Sequence, residues 1–246
     1  VLRSFIEHLR LGRRPALATV VKTDRGGPAP GTKMIVLLRG TTEGSLGAIS
    51  SPVAGACLRV LAGEDRPGVF TFGGVEVYIE AGCSPMKLVI AGAGHIGWNL
   101  ARMAGLLGFA VTVMDDRPSF ANRERFPDAD NVIAGDFVEI LSGMPIDDQT
   151  SIVLVTRGHR HDEACLKAVV RSAVAYIGMI GSRRRVRTVL THLRAEGFPR
   201  ASLERIWSPI GLDLGAESPA EIALSILAEI LKVRNVATGR SMKDRC

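Results

Sequence analysis

The segment Gly92-Ala-Gly94-His95-Ile-Gly97 follows an apolar run, Lys87-Leu-Val-Ile-Ala91, and leads into Trp98-Asn-Leu-Ala-Arg102, a pattern that turns a buried strand into a helix. Gly-x-Gly-x-x-Gly spacing suits a phosphate for three reasons. The first glycine permits the tight turn, the second lets a pyrophosphate approach the backbone, and the third lets the helix pack closely on the strand. Free amides at the helix N-terminus then face the anion. A second strand, Phe109 to Met114, ends at Asp115 and Asp116, about where a ribose-binding carboxylate should lie. Asp115 is the candidate for a ribose hydroxyl pair, with Arg117 near enough to serve a phosphate. The plainer alternative is that both aspartates open a turn before Pro118. His95 is placed either to touch a bound group or to sit solvated in the first helical turn.

Two more polar clusters follow later apolar runs: Thr156-Arg157-Gly-His159-Arg-His161-Asp162 and Gly181-Ser182-Arg183-Arg-Arg185. In the second, Ser182 reads as an N-cap whose neighbouring amides are open to a second phosphate or a carboxylate, or simply as the cap of a helix with solvated arginines. In the first, Arg157 and His159 are loop candidates for ligand contact, and His161 or Asp162 starts the next helix. His159 and His161, with Asp162 following, could bind a metal or act as acid and base, although a zinc site would need a third ligand that the sequence does not indicate. Cys57 follows a flexible Gly, Ala, Ser and Pro stretch and is the candidate thiolate or metal ligand, against the alternative of a buried free cysteine.

These clusters need elements to hold them. From Lys87 onward, strands at 87–91, 110–115, 131–134, 151–156 and 175–179 alternate with helices at 95–107, 137–142, 161–172 and 183–196, the pattern of a parallel sheet covered on both faces. In the doubly wound order 3-2-1-4-5, the loops after strands one, four and five open on one edge beside the topological switch point. All three clusters then share that edge. A last helix has Ser218 as N-cap, Pro219 in its first turn, Glu221 closing a capping box, and an apolar stripe through Ile222, Ile226 and Ile230. Before residue 86, the runs Leu17 to Val21 and Met34 to Leu38 flank Gly26-Gly-Pro-Ala-Pro-Gly31, which reads as a turn between paired strands, and Val75 to Ile79 alternates. A short helix is expected at 53–61. The fold class is therefore α/β, a Rossmann-like doubly wound parallel sheet over 86–246 preceded by a smaller β-rich α+β domain over 1–85. Cys83-Ser-Pro85 marks the boundary, since proline cannot donate to a ladder.

The chain has 246 residues and 46% hydrophobic content, enough for real cores. No apolar run reaches the roughly 18 residues of a membrane span, and Val1 to Arg14 reads as an amphipathic helix rather than a signal peptide. The expected protein is cytoplasmic, without stable membrane insertion. Val1 in place of a methionine points to residues preceding it. The four cysteines form no Cys-x-x-Cys pair, so neither a disulfide framework nor a zinc site is indicated. The net charge is +6, with seven arginines between Gly181 and Arg205 against Glu196 and Glu204. No aromatic residue interleaves with them before Phe198, so a stacking surface for nucleic acid is not expected, and a small phosphorylated ligand fits better.

Together, Gly92-Ala-Gly-His95, Asp115-Asp-Arg-Pro118, Arg123-Glu-Arg-Phe-Pro-Asp-Ala-Asp130, Thr156-Arg-Gly-His159, Tyr176-Ile-Gly-Met-Ile-Gly-Ser-Arg-Arg184 and Pro209-Ile-Gly-Leu-Asp-Leu-Gly-Ala216 resemble the XdhC/CoxI family, accessory proteins of xanthine dehydrogenase and carbon monoxide dehydrogenase. The resemblance runs from residue 87 to about 234. It implies binding of the molybdenum cofactor (molybdopterin, a pterin with a phosphate and a dithiolene-held metal) and its delivery to a molybdenum hydroxylase apoprotein, with a sulfurtransferase as a further partner. On this reading Gly92, Gly94, His95, Gly97, Asp115, Arg157, His159, Gly181, Ser182 and Arg183 hold the cofactor, and no catalytic residue is assigned. The first half is less similar: Gly27 stands for a family serine, Ala29 for an arginine, and Ile49-Ser-Ser-Pro52 separates Gly44-Ser-Leu-Gly47 from Cys57. Two alternatives are an NAD(P)-dependent oxidoreductase, built on the glycine turn with Asp115, and a regulatory nucleotide-binding module. A homodimer would cover the apolar strands of the small domain.

Overall fold

The computed structural model describes residues 1–11, 13–24, 26–82, 86–157 and 159–245, apart from the side chains of Arg10, His159, Arg160 and Arg245. The chain forms two compact units, Val1–Pro85 and Met86–Cys246. The boundary residues Cys83 to Pro85 lie outside the described residues.

The first unit runs α1 (Leu2–Arg10), β1 (Pro15–Lys22), β2 (Lys33–Leu37), β3 (Thr42–Glu43), α2 (Ser50–Ala62), β4 (Gly68–Phe72) and β5 (Val75–Ala81). Its antiparallel sheet has the order β3-β2-β1-β5-β4. Alternation decides which face is covered. Val75, Val77 and Ile79 of β5 point to the same core as Ala16, Ala18 and Val20 of β1, and α2 closes that core with Val53, Ala56, Cys57 and Val60. The helix expected at 53–61 starts earlier, after a 3-10 turn at Gly47–Ile49, and ends at Gly63, whose φ of 79° suits a residue without a side chain. The first helix stops at Arg10, short of Arg14.

The second unit adds β6 (Lys87–Ala91), α3 (His95–Leu106), β7 (Ala110–Asp115), β8 (Asn131–Ala134), α4 (Phe137–Gly143), β9 (Thr150–Leu154), α5 (His159–Val169), β10 (Tyr176–Met179), α6 (Arg183–Ala195), α7 (Arg200–Leu203), β11 (Ile206–Trp207) and α8 (Pro219–Arg234). All six strands are parallel, in the order β8-β7-β6-β9-β10-β11. This is the expected 3-2-1-4-5 sheet extended by one short strand. Period-two alternation splits β6 between two cores: Leu88 and Ile90 join Leu100, Ala104, Ile226 and Ile230 of α3 and α8, whereas Val89 and Ala91 join Leu141, Leu166 and Val189 of α4, α5 and α6. Such burial contributes about 2 kcal/mol for each large side chain. α5 begins two residues before the expected 161 and β9 ends two before 156, leaving a short β9–α5 loop. α8 carries the full capping box at Ser218 and Glu221. Among the described residues, no helix is long and apolar enough to cross a membrane.

Candidate functional site

The three glycines of the first turn do different work. Gly92 has a φ of 120°, and a Cβ there would sit 2.4 Å from the Val155 carbonyl oxygen; at Gly97 it would sit 2.0 Å from that of Gly92. Those two positions exclude any side chain because strand, turn and helix meet there. Gly94 differs: a Cβ would meet nothing within 4 Å. It is the N-cap of α3 in an extended conformation, with no side chain capping the helix. The amides of the first turn of α3 therefore adjoin open space, which suits an anion. His95 is exposed at the first position of that helix.

Asp115 is not the ribose-facing carboxylate that its position suggests. It is 2% exposed; its Oδ2 accepts the Ala93 N–H at 2.8 Å and Arg117 Nη2–H at 3.0 Å, and its Oδ1 accepts Arg117 Nε–H at 2.7 Å and the Arg117 amide at 3.1 Å. Burial opposes its ionisation, but the Arg117 guanidinium and the two backbone amides prevail and hold its pKa down to about 2. Its role is to brace the glycine turn from within. The accessible carboxylate is Asp116, whose Oδ2 lies 3.4 Å from Arg157 Nη2 and 3.9 Å from His161 Nε2. These contacts bring the β7 and β9 loops together at one edge of the sheet. His159 begins α5, and its side chain lies outside the described residues.

A buried network missed by sequence reading links the same β9 loop to α6. Asp162 is fully buried, accepts the Thr156 hydroxyl at 2.5 Å, and forms an ion pair with Arg185. Ser182 caps α6 by accepting the Arg185 amide at 3.3 Å. Beside this cap lies a cavity of about 410 Å³ whose lining includes Ser182, Arg184, Arg185, Thr188 and His192. Gly181 packs on Arg185, whose Cδ would lie 3.2 Å from a Cβ there. Arg183 faces elsewhere than Ser182: it lines a separate cavity of about 340 Å³ with Arg187 and Arg194. The only signal for the Asp162–Arg185 pair was opposite charge on two loops expected at one edge.

The segment after β11 is anchored from below. Glu229 of α8 is 5% exposed and accepts the Tyr176 hydroxyl at 2.6 Å and the Gly211 amide at 3.0 Å; burial and this carboxylate both push the Tyr176 pKa up. Gly178 makes room for Ile210, whose Cδ1 would lie 2.3 Å from a Cβ. The Ser208–Pro209 peptide is cis.

Cys57 does not offer a ligand thiolate. It is fully buried in the core of the first unit, and burial pushes its pKa up to about 12. Among the described residues, no group of three or more His, Cys, Asp or Glu could hold a metal ion. The sheet edge of the second unit thus offers amides and guanidinium groups to an anion, with the half-buried Asp116 as the counter-charge.

Comparison with known proteins agrees with this architecture. Residues 88–230 match the family model described as the XdhC Rossmann domain, and residues 8–73 match that described as the XdhC and CoxI family. A probable xanthine dehydrogenase subunit from Bacillus subtilis is 32% identical over 148 residues, covering 60% of this chain and 43% of that protein. The molybdenum cofactor insertion chaperone PaoD of Escherichia coli is 30% identical over 156 residues, covering 63% of this chain and 42% of that protein. The chain spans less than half the length of the curated relatives it matches. A solved structure of a xanthine dehydrogenase from Bacillus halodurans shares the fold, with a TM-score of 0.58 over 98% of this chain and 99% of that one at 18% identity.

Proposed function

The chain belongs to the XdhC and CoxI family, and on that premise we propose that it binds the molybdenum cofactor and hands it to a molybdenum hydroxylase apoprotein, acting as a carrier in enzyme maturation. The observation that carries this reading is the uncapped helix start at Gly94, a cradle open to an anion on a chain of this family. The residues present fit a phosphate-bearing group. The amides that follow Gly94 would hold its phosphate, and the cationic rim would hold further negative charge through Arg157, His159 and the Gly181-Ser182 turn, with Arg184 in place of Arg183, since Arg185 is committed to Asp162. Asp115 fixes the turn without touching the ligand. When bound, the cofactor supplies the molybdenum centre that the recipient enzyme uses; this chain binds, shields and releases it. The name of the Escherichia coli relative, a molybdenum cofactor insertion chaperone, supports the same role.

Release has a simple electrostatic basis. Arg157 is largely exposed and pairs with Asp116 at 3.4 Å, so a departing anion returns it to that partner and to solvent. The dinucleotide alternative loses its main polar contact, because Asp115 is turned inward. A sulfurtransferase partner and a homodimer belong to the same proposal, checked by co-purification and by light scattering.

The test is to express the chain in a host that makes the cofactor and to assay the purified protein for oxidised pterin fluorescence and for molybdenum. Both should be present in comparable amounts. Repeated failure to retain or accept either sinks the reading, and tight binding of NADH or NADPH in its place favours the oxidoreductase.

A further inference from the structure

The Rossmann unit has a further recess, apart from the two cavities beside α6. It is a cavity of about 280 Å³ between α3 and the 124–129 turn, lined by Trp98, Arg102, Glu124, Arg125, Phe126 and Asp128 together with smaller residues. Its walls are stacked. The Arg102 guanidinium lies 4.7 Å from the Trp98 ring centre, and Arg125 lies 4.6 Å from that of Phe120 and 5.9 Å from that of Phe126. The Trp98 indole N–H donates to the Arg125 carbonyl at 3.1 Å, which ties α3 to the turn.

This recess is joined to the phosphate turn by contact. Asp115 holds both the Ala93 amide and Arg117; Arg117 stacks on Phe120 at 3.6 Å; Arg125 stacks on the same ring. Trp98 also follows Gly97 directly in the chain. One ligand with an anionic end and a flat end would find both features on neighbouring parts of α3.

The charges around the recess select the kind of ring. Among the described residues, Arg102, Glu124, Arg125 and Asp128 take part in no salt bridge with one another or with any other group. An aromatic slot edged by carboxylates and guanidinium groups suits a planar ring that presents N–H donors next to a carbonyl acceptor. A carboxylate accepts from two adjacent N–H groups, a guanidinium donates to the carbonyl, and the rings stack on aromatic or guanidinium faces. A 2-amino-4-oxo-pyrimidine edge has that pattern, and adenine does not.

We propose that this cavity binds the 2-amino-4-oxo-pyrimidine ring of a pterin or a guanine nucleotide, with Trp98 and the Arg102 and Arg125 guanidinium groups as walls, the buried Phe126 beneath them, and Asp128 and Glu124 accepting from the amino edge. The pterin form rests on the cofactor reading above; the guanine form does not.

The test uses the full chain and four probes: 6-hydroxymethylpterin, guanosine monophosphate, inosine monophosphate and adenosine monophosphate, followed by pterin fluorescence anisotropy and by tryptophan quenching. The pterin, the guanine nucleotide or both should bind saturably and about tenfold or more tightly than the inosine and adenosine nucleotides. Binding of one and not the other identifies the source of the ring. The exposed pair Asp128→Asn with Glu124→Gln should erase that preference, and circular dichroism and the melting temperature establish that the variant is folded. Equal affinity for all four probes, or no saturation of any below about 1 mM, overturns the proposal, as does a folded double variant that keeps the preference. If ring binding fails while molybdenum and pterin co-purify, the cavity assignment falls and the carrier reading stands. If the ring binds and no molybdenum is ever retained, the carrier reading falls and the cavity stands.

Discussion

Asp115 reaches back from the end of β7 to the backbone of Ala93, accepting its N–H at 2.8 Å. The carboxylate is thereby the internal support of the glycine turn, with Arg117 closing its other oxygen at 2.7 Å. Replacing it with alanine leaves a buried amide and a guanidinium without their acceptor, so Asp115→Ala should lose about 3 kcal/mol of unfolding free energy at neutral pH. Urea unfolding measures this directly.

The same residue gives a signed pH dependence. Its folded-state pKa of about 2 lies below the ordinary 3.8, because Arg117 and two backbone amides outweigh the effect of burial. A depressed carboxylate pKa contributes stability in full above the unfolded value and loses it as pH falls through the folded value. The contribution is about 2 kcal/mol, lost between about pH 4 and pH 2. Denaturation midpoints taken stepwise through that window should fall more steeply for the native chain than for Asp115→Asn.

Gly94 and Gly97 should separate binding from folding. A side chain at Gly94 meets open space, and aspartate is a favoured N-cap in an extended conformation, so Gly94→Asp should keep or slightly raise the melting temperature. Its negative charge at the anion site should reduce pterin and molybdenum retention about tenfold or more. Gly97→Ala forces a methyl group to within 2.0 Å of the Gly92 carbonyl oxygen and should destabilise the unit by at least about 2 kcal/mol. Equal melting temperatures for the two variants would falsify this division.

Glu229 should control the segment after β11. It accepts from both Tyr176 and Gly211, so Glu229→Ala removes the acceptor of a buried hydroxyl and of the loop amide, a loss of about 2 kcal/mol or more. Hydrogen exchange at the Gly211 amide should speed up strongly in this variant and stay slow in Tyr176→Phe, which leaves the second hydrogen bond in place.

Cys57 should behave as a core residue. With full burial and a pKa near 12, its alkylation by iodoacetamide in the native protein should be at least about a hundredfold slower than in urea. Cys57→Ala, folded at a modest cost in stability, should retain as much molybdenum as the native chain.

Several features were legible because their physics is local. The Gly92–Gly97 spacing, the alternation in β5, the box at Ser218 and Glu221, and the strand–helix alternation after Lys87 each depend on residues within one turn or one strand of each other. They sufficed to place the strands β6 to β10, whose order followed once a doubly wound sheet was assumed. The short β11 was invisible in the sequence: two residues, Ile206 and Trp207, carry too little pattern to mark a strand, and only pairing with Ile177 and Gly178 defines it.

The side-chain partners were a different matter. Position in the sequence placed Asp115 where a ribose carboxylate stands, but whether its oxygens face a ligand or the chain depends on Arg117 folding back over Phe120. Likewise Asp162 finds Arg185 23 residues away, Trp98 finds the Arg125 carbonyl 27 away, and Tyr176 finds Glu229 53 away. Sequence by itself determined the fold class and the glycine turn at Gly92 to Gly97, since backbone sterics and hydrophobic period act over a few residues. Only the tertiary structure decided that Asp115 braces that turn while Gly94 stays open, because burial and hydrogen-bond competition are settled by whatever the folded chain brings alongside.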